Sequence, residues 1–350
     1  MQYANSDTYE GSWIAGQRRG YGKYVSTSGV IYEGTWQADH RHGYGRELRP
    51  TGVEFSGQWR KDQRQGKGVE THADGTRHSG LWSANKIFGL GTRISRAGVK
   101  LHGHWLNNTL TQGSLNLPDG STYTGMLFND SGRKVTPQLV VWLKGQAADK
   151  NAYAQLFLGH AFLDFDAPKP DFTTARIWLK QAANTGIAEA QYRLATLEVI
   201  DNAADAITLL KQAAAQAHPI AHELLGSYYH AGQYVEQDIE TAIEHYEVAI
   251  EHGSIRAINN LAWLLGTTQA KKYSNPTRAI ELIQPLVLYR GHWQYLDTLA
   301  AAHARLGDMQ RAVRLEHQAI IQAQSRASEL EVDDMSQRLI LYEADKPYVE

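Results

Sequence analysis

Fifteen histidines are the side chains of this sequence best suited to chemistry, and their spacing sets how much of it they could perform. His102 and His104 alternate on one strand face, as do His40 and His42, so either pair could turn two imidazoles toward one metal ion. Neither pair has a third histidine or a carboxylate at ligand spacing, and Trp105 alone accounts for the strand around His104, so no metal site is assigned. His218 and His222 stand four apart, but Pro219 pushes His218 off the helix and breaks that pair. His245 and His252 lie among acidic helical neighbours and read as solvated, as do Asp333 and Asp334. There is no Gly-x-Ser-x-Gly elbow and no phosphate-cradling Gly-x-x-x-x-Gly-Lys-Ser/Thr loop. Cysteine is absent, which removes disulfides, thiolate ligands and a thiol nucleophile. The reading is therefore non-catalytic, with no catalytic residue and no cofactor.

What would have to position any such residues is a pair of repeat arrays. Trp13, Trp36, Trp59, Trp82 and Trp105 recur every 23 residues, each two positions after a glycine. Aligned on them, the units read Tyr9-Glu-Gly11-Ser-Trp13, Tyr32-Glu-Gly34-Thr-Trp36, Phe55-Ser-Gly57-Gln-Trp59, His78-Ser-Gly80-Leu-Trp82 and Leu101-His-Gly103-His-Trp105, with a shortened Tyr123-Thr-Gly125-Met-Leu127 after them. Gly20/Gly22, Gly43/Gly45, Gly66/Gly68 and Gly89/Gly91 follow, then turn glycines at 29, 52, 75, 98 and 120. Aromatic, glycine and tryptophan at i, i+2 and i+4 share one strand face, so large rings can lie over backbone that glycine leaves bare. The unit predicted is a β-hairpin, and the five tryptophans are its structural core.

This pattern resembles the MORN (membrane occupation and recognition nexus) repeat over residues 3–130. The resemblance implies an adaptor module, often tied to membranes, phospholipid head groups or self-association. His78 and Leu101 in the aromatic slot, the lone Gly113 and Leu127 in place of tryptophan look like a ladder ending against a following unit. Arg18, Arg41 and Arg64 are also 23 apart and, with Arg19, His42, Lys61, Lys67 and Lys86, are expected on the outward face. Neighbouring hairpins would space them by roughly 10 Å, making a basic ridge able to meet phosphates or an acidic protein surface.

After Pro137 the glycine rhythm gives way to alanine-rich helical periodicity. Helix pairs are expected at 151–164 with 171–185, 188–199 with 202–216, 219–231 with 238–252, 255–266 with 276–289, and 292–305 with 308–323, capped by a helix near 328–343. Ala221-x-x-Leu224-Leu225-Gly226-x-Tyr228-Tyr229 followed by Ala242-Ile243-x-x-Tyr246 and Gly253 resembles a Sel-one-like repeat, as does Ala175-x-x-Trp178-Leu179-x-x-Ala182-Ala183-x-x-Gly186. Asn259-Asn260-Leu261-Ala262-Trp263 with Asp297-Thr298-Leu299-Ala300 is similar to tetratricopeptide repeats. Such arrays imply protein binding on a concave surface, where Tyr192, His222, Tyr229, Asn260, Tyr295 and His303 are the candidates and Trp263 reads as core.

The fold expected is α+β in two repeat domains: a MORN-type antiparallel hairpin ladder over 1–135, then a Sel-one-like and tetratricopeptide-like α-solenoid with a capping helix over 136–350. Net charge is +6 for residues 1–135 and −8 for 136–350, which favours different partners for the halves or contact between them. No apolar run approaches the roughly 20 residues that span a bilayer. No export leader precedes the first repeat, so the chain reads as cytoplasmic as it stands, or as a bacterial envelope protein if a leader was removed. The function expected is a scaffold that holds protein partners in the solenoid groove, with a homodimer through the open ladder edge near Tyr3–Tyr9. Attachment to anionic lipid through the basic ridge is the alternative, and an enzyme or enzyme-regulatory subunit the remote one. Nucleic acid is disfavoured, because the larger half is acidic and the ladder aromatics are expected to face inwards.

Overall fold

The computed structural model describes residues 5–128, 135–163 and 170–350. Tyr3 and residues 129, 130 and 164, which fall in expected elements, lie outside the described residues. Eleven antiparallel strands form one sheet in strict chain order, from β1 (Thr8–Ile14) and β2 (Gln17–Val25) to β10 (Thr109–Asn116) and a short β11 (Thr122–Gly125). This is the hairpin ladder.

The register explains the recurring glycines. Gly11 faces Gly22, Gly22 faces Gly34, and the pairing runs on through Gly45, Gly57, Gly68, Gly80, Gly91, Gly103 and Gly113 to Gly125. A row without side chains thus crosses the whole sheet, and the aromatic rings lie in it. A Cβ on Gly45 would stand 2.2 Å from the Tyr32 hydroxyl, and one on Gly68 would stand 2.4 Å from Phe55. Above this seam Tyr9, Trp36, Tyr32, Trp59, Phe55, Trp82, His78 and Trp105 follow one another edge to face, with centroids 5.0–5.7 Å apart. Each such contact adds about 0.5–1.5 kcal/mol beyond burial, which lets a sheet with few aliphatic side chains hold together.

Two kinds of turn alternate. Gly29, Gly52, Gly75, Gly98 and Gly120 all adopt positive φ, as expected. The opposite ends use two-residue turns with both residues at positive φ, at Ala38-Asp39, Lys61-Asp62, Ala84-Asn85 and Asn107-Asn108. The Asx side chain of each accepts a hydrogen bond from the backbone N–H of the previous hairpin, at Arg18, Arg41, Arg64 and Ile87 (2.8–2.9 Å). Each hairpin is therefore stitched to its predecessor.

The helices follow as an antiparallel solenoid. All five pairs and the capping helix form within two residues of the expected bounds, α2 spanning Ala152–Phe162 where 151–164 was expected. One further helix, α1 (Pro137–Ala148), was not foreseen; Thr136 caps it by accepting from the Leu139 N–H, and Pro137 starts it. Its buried Leu139 and Leu143 share a core with Trp105, Leu110, Leu115 and Leu127, so α1 and α2 close the end of the ladder.

The two arrays also touch along their lengths. Asn151, before α2, donates to Asp119 at the last hairpin tip (2.6 Å). Arg96, at the tip before it, donates to the Gln216 carbonyl at the turn into α6 (Pro219–Ala231) (2.9 Å). Ala73 packs on Gly253, between α7 (Ile239–Glu251) and α8 (Ile255–Thr267), and Gly29 lies against Pro285 of α9 (Pro276–Arg290). Hairpins taken from last to first thus meet helices taken from first to later.

Candidate functional site

The arginines expected on an outward ridge are turned inwards. Trp13 lies directly across from Arg18, Trp36 from Arg41 and Trp59 from Arg64, and opposed residues of an antiparallel pair project from the same face. Each guanidinium covers the next repeat's tryptophan: Arg18 over Trp36 at 4.1 Å, Arg41 over Trp59 and Arg64 over Trp82 at 4.4 Å. Arg18 and Arg41 pair with Asp39 and Asp62, and Arg41 and Arg64 with Glu47 and Glu70. Burial opposes the ionised Glu70, yet hydrogen bonds from His72 and Arg64 and the Arg64 charge hold its carboxyl down at about 2. These three arginines are ladder parts. Of the remaining ridge candidates Arg19, Lys61, Lys67 and Lys86 are exposed and His42 is half-buried, but they do not form one row. Nor do all ladder aromatics face inwards, since Tyr21 and Tyr44 are 63 % and 62 % exposed on the opposite face. With the arginines engaged internally, a lipid-binding ridge has no support.

A cavity of about 580 Å³ lies between ladder and solenoid, and the sequence reading missed it. Arg93 and Arg96 line it from the ladder; Tyr153, His160, Glu189 and His218 line it from the helices. Glu189 accepts from His218 Nε2 (2.9 Å) and Arg193 Nε (2.7 Å). Burial works against its charge, but His218 and Arg193 keep the carboxyl at about 2. Burial, reinforced by the Arg193 charge, lowers His160 to about 4 and keeps it neutral. A trace of this cavity was present in the repeat. Arg93 stands where earlier hairpins carry Glu47 and Glu70, while Ile87 takes the arginine slot, so the cation over Trp105 (5.0 Å) comes from the other position.

The solenoid candidates do not share one surface. Tyr192 stacks on His218 with centroids 5.0 Å apart. His222 donates from Nε2 to the Ala214 carbonyl, which leaves Nδ1 to accept from His245 Nδ1 at 2.9 Å. His245, expected in solvent, is instead lowered to about 4, by burial first and then by His222, and it stacks on Tyr229. Helix–helix packing overrides the acidic sequence neighbours there. Tyr295 is half-buried, and His303 is buried, 3.6 Å from Asp308. Asn260 alone of the six lines the concave cleft, a space of about 420 Å³ shared with Ser227, Asn259, Trp263 and Gln294.

Two features of that cleft were invisible in the sequence. Trp263, read as core, has its ring in the cleft beside Tyr348 and donates from Nε1 to a Glu350 carboxylate oxygen at 2.6 Å. Beneath it, Arg338 of α12 (Glu329–Glu343) grips Asp297 with two bonds of 3.0 Å. Glu316, fully buried nearby, is pushed up to about 10 by burial and by Asp297, so it stays protonated. The cluster clips α12 onto α10 (Trp293–Arg305) and α11 (Met309–Ala323). Among the described residues, no group of three or more histidine, aspartate or glutamate side chains could hold a metal ion. Also among them, no helix is long and apolar enough to cross a membrane.

The family of the MORN repeat matches residues 9–31, 32–54 and 55–77, and that of the Sel1 repeat matches 152–186, 188–218, 219–254 and 255–285. A Sel1 repeat protein from Oxalobacter formigenes is 22% identical, with a TM-score of 0.44, over 53% of this chain and 79% of its own. A protective antigen of uropathogenic Escherichia coli with an SLR fold is 20% identical, with a TM-score of 0.45, over 60% and 50%. A putative Sel1 repeat protein from Klebsiella pneumoniae subsp. pneumoniae is 15% identical, with a TM-score of 0.39, over 58% and 99%. No curated protein matches the chain. The matched repeats coincide with observed hairpins over 9–77 and with helix pairs over 152–285, and the chain carries MORN repeats in its hairpin ladder followed by Sel1 repeats in its helical solenoid.

Proposed function

We propose that this chain is a non-catalytic scaffold whose working surface is the concave cleft of α6, α8 and α10. Sel1 and tetratricopeptide-like folds typically serve as protein-interaction scaffolds and are generally non-catalytic. The observation that carries the reading is the character of the cleft. Asn259, Asn260, Ser227 and Gln294 offer amide and hydroxyl groups beside the Trp263 ring, a combination suited to an extended polypeptide backbone. The ladder then acts as a brace, with its outer face left for a further contact. Affinity capture with the full chain, compared with Asn260→Ala and Gln294→Ala together, tests this. Loss of the retained protein in the variant is the expected result, and an unchanged catch removes the cleft from the reading. A second copy pairing along β1 is a companion proposal, favoured because β1 is the terminal strand of the sheet among the described residues. Light scattering that finds only monomer at high concentration would remove it.

A further inference from the structure

The chain places a piece of itself in its own cleft. After α12 the backbone turns at Asp345 (φ 59°), and residues 346–350 run back across α8. Glu350 makes two main-chain bonds there, its N–H to the Thr267 carbonyl (2.9 Å) and its carbonyl from the Gln269 N–H (3.1 Å). Its carboxylate accepts from Trp263 Nε1 (2.6 Å) and the Thr267 hydroxyl (3.4 Å), with His230 at 3.8 Å. Tyr348, two residues earlier, lies 5.8 Å from the Trp263 ring, so both residues meet the same tryptophan. The Arg338 guanidinium faces both rings, at 5.2 and 5.6 Å. The ring contact at Tyr348 and, two residues later, the carboxylate and main-chain contacts of Glu350 anchor the segment at two positions.

We infer that the cleft is a recognition site for an extended protein segment carrying an aromatic residue two positions before a carboxylate, and that residues 346–350 occupy it in cis as an internal competitor. The inference rests on the cleft reading above and names the chemistry of its partner. The cis segment reaches only part of the site. Asn260 is left with a long contact to Ser227 (3.4 Å), and Gln294 lines the open remainder. A partner in trans therefore gains contacts that the cis segment lacks, which lets it displace a segment whose tether gives it an effective concentration on the order of millimolar.

The test uses the full chain and a fluorescein-labelled, C-terminally amidated peptide Asp-Lys-Pro-Tyr-Val-Glu, read by fluorescence anisotropy. In a released variant, Tyr348→Ala with Glu350→Gln, the cis segment loses its two side-chain anchors, and the peptide should bind at least about tenfold more tightly than to the unaltered chain. Adding Trp263→Phe keeps a ring in place and deletes the N–H donor, and it should weaken that binding about tenfold. Circular dichroism confirms that each variant is folded. Equal binding to the released and unaltered chains, no binding to the released chain at millimolar peptide, or indifference to Trp263→Phe would each overturn the inference. If the peptide fails while Asn260→Ala with Gln294→Ala still abolishes protein capture, the scaffold reading survives and only this partner chemistry is lost.

Discussion

His78 carries the sharpest consequence at the scale of single residues. It fills the slot of Tyr9, Tyr32 and Phe55, lies 2 % exposed between Trp82 and Trp105, and neither ring nitrogen has a hydrogen-bond partner among the described residues. Leaving a buried polar group unsatisfied costs about 1–3 kcal/mol, whereas an apolar ring of similar shape carries no such cost. Burial, with Arg93 adding repulsion, lowers its pKa to about 4. A folded-state value below the ordinary imidazole range means the linked stability is complete above about pH 6.5 and is lost as pH falls toward 4. His78→Phe should therefore melt higher at pH 7.5, and its advantage over the unaltered protein should widen between pH 6.5 and 4. Thermal unfolding across that range is the measurement, and a constant gap would show that His78 titrates in the folded ladder as it does in the unfolded chain. The sequence marked His78 as a departure from the repeat, but its lack of partners needed neighbouring strands to be seen.

At the scale of the hairpin, the glycines divide into two classes that one aligned column does not separate. Gly45 is bare because the Tyr32 ring occupies its Cβ position, and that ring is wedged between Trp36 and Trp59. Gly75 has open space around it and is glycine for its φ of 87°. Gly45→Ala should cost at or beyond the upper end of about 1–3 kcal/mol, because the ring has nowhere to move. Gly75→Ala should cost about 1–2 kcal/mol, the ordinary strain of a left-handed residue. Urea titration of the two variants would rank them, and the reverse order would contradict the ring-in-seam packing. The hairpin itself was legible, since a 23-residue period with aromatic, glycine and tryptophan alternating leaves little else. The inward arginines were legible too, had the register been worked out, because Arg41 stands directly across from Trp36. Helix α1 was missed for a physical reason: its apolar residues answer to the end of the ladder, which local periodicity does not report.

Across the whole molecule, the contacts between the two arrays join residues far apart in sequence, such as Arg96 with Gln216 and Asn151 with Asp119. No repeat pattern encodes such pairs, so the cavity at Arg93 and the alignment of tips with turns were beyond a sequence reading. Opposite net charges on the two halves, and Arg93 in the slot that earlier hairpins fill with Glu47 and Glu70, were their foreshadowing. Leu143 of α1 is fully buried in the core shared by both arrays. Leu143→Ala should destabilise by about 2–5 kcal/mol. It should lower the urea midpoint of tryptophan fluorescence, to which five of nine tryptophans contribute from the ladder, together with that of the helical circular-dichroism signal. Midpoints that move apart would mean the arrays unfold independently.

Hairpin tips fastened to helix turns at several stations also have a mechanical meaning. A free solenoid flexes like a spring, because each repeat touches only its immediate neighbours. Here a stiff sheet advancing about 9–10 Å per hairpin is bolted alongside, so curvature is preset before anything docks. A ligand then meets a mould already cast, and little ordering cost remains for it to meet.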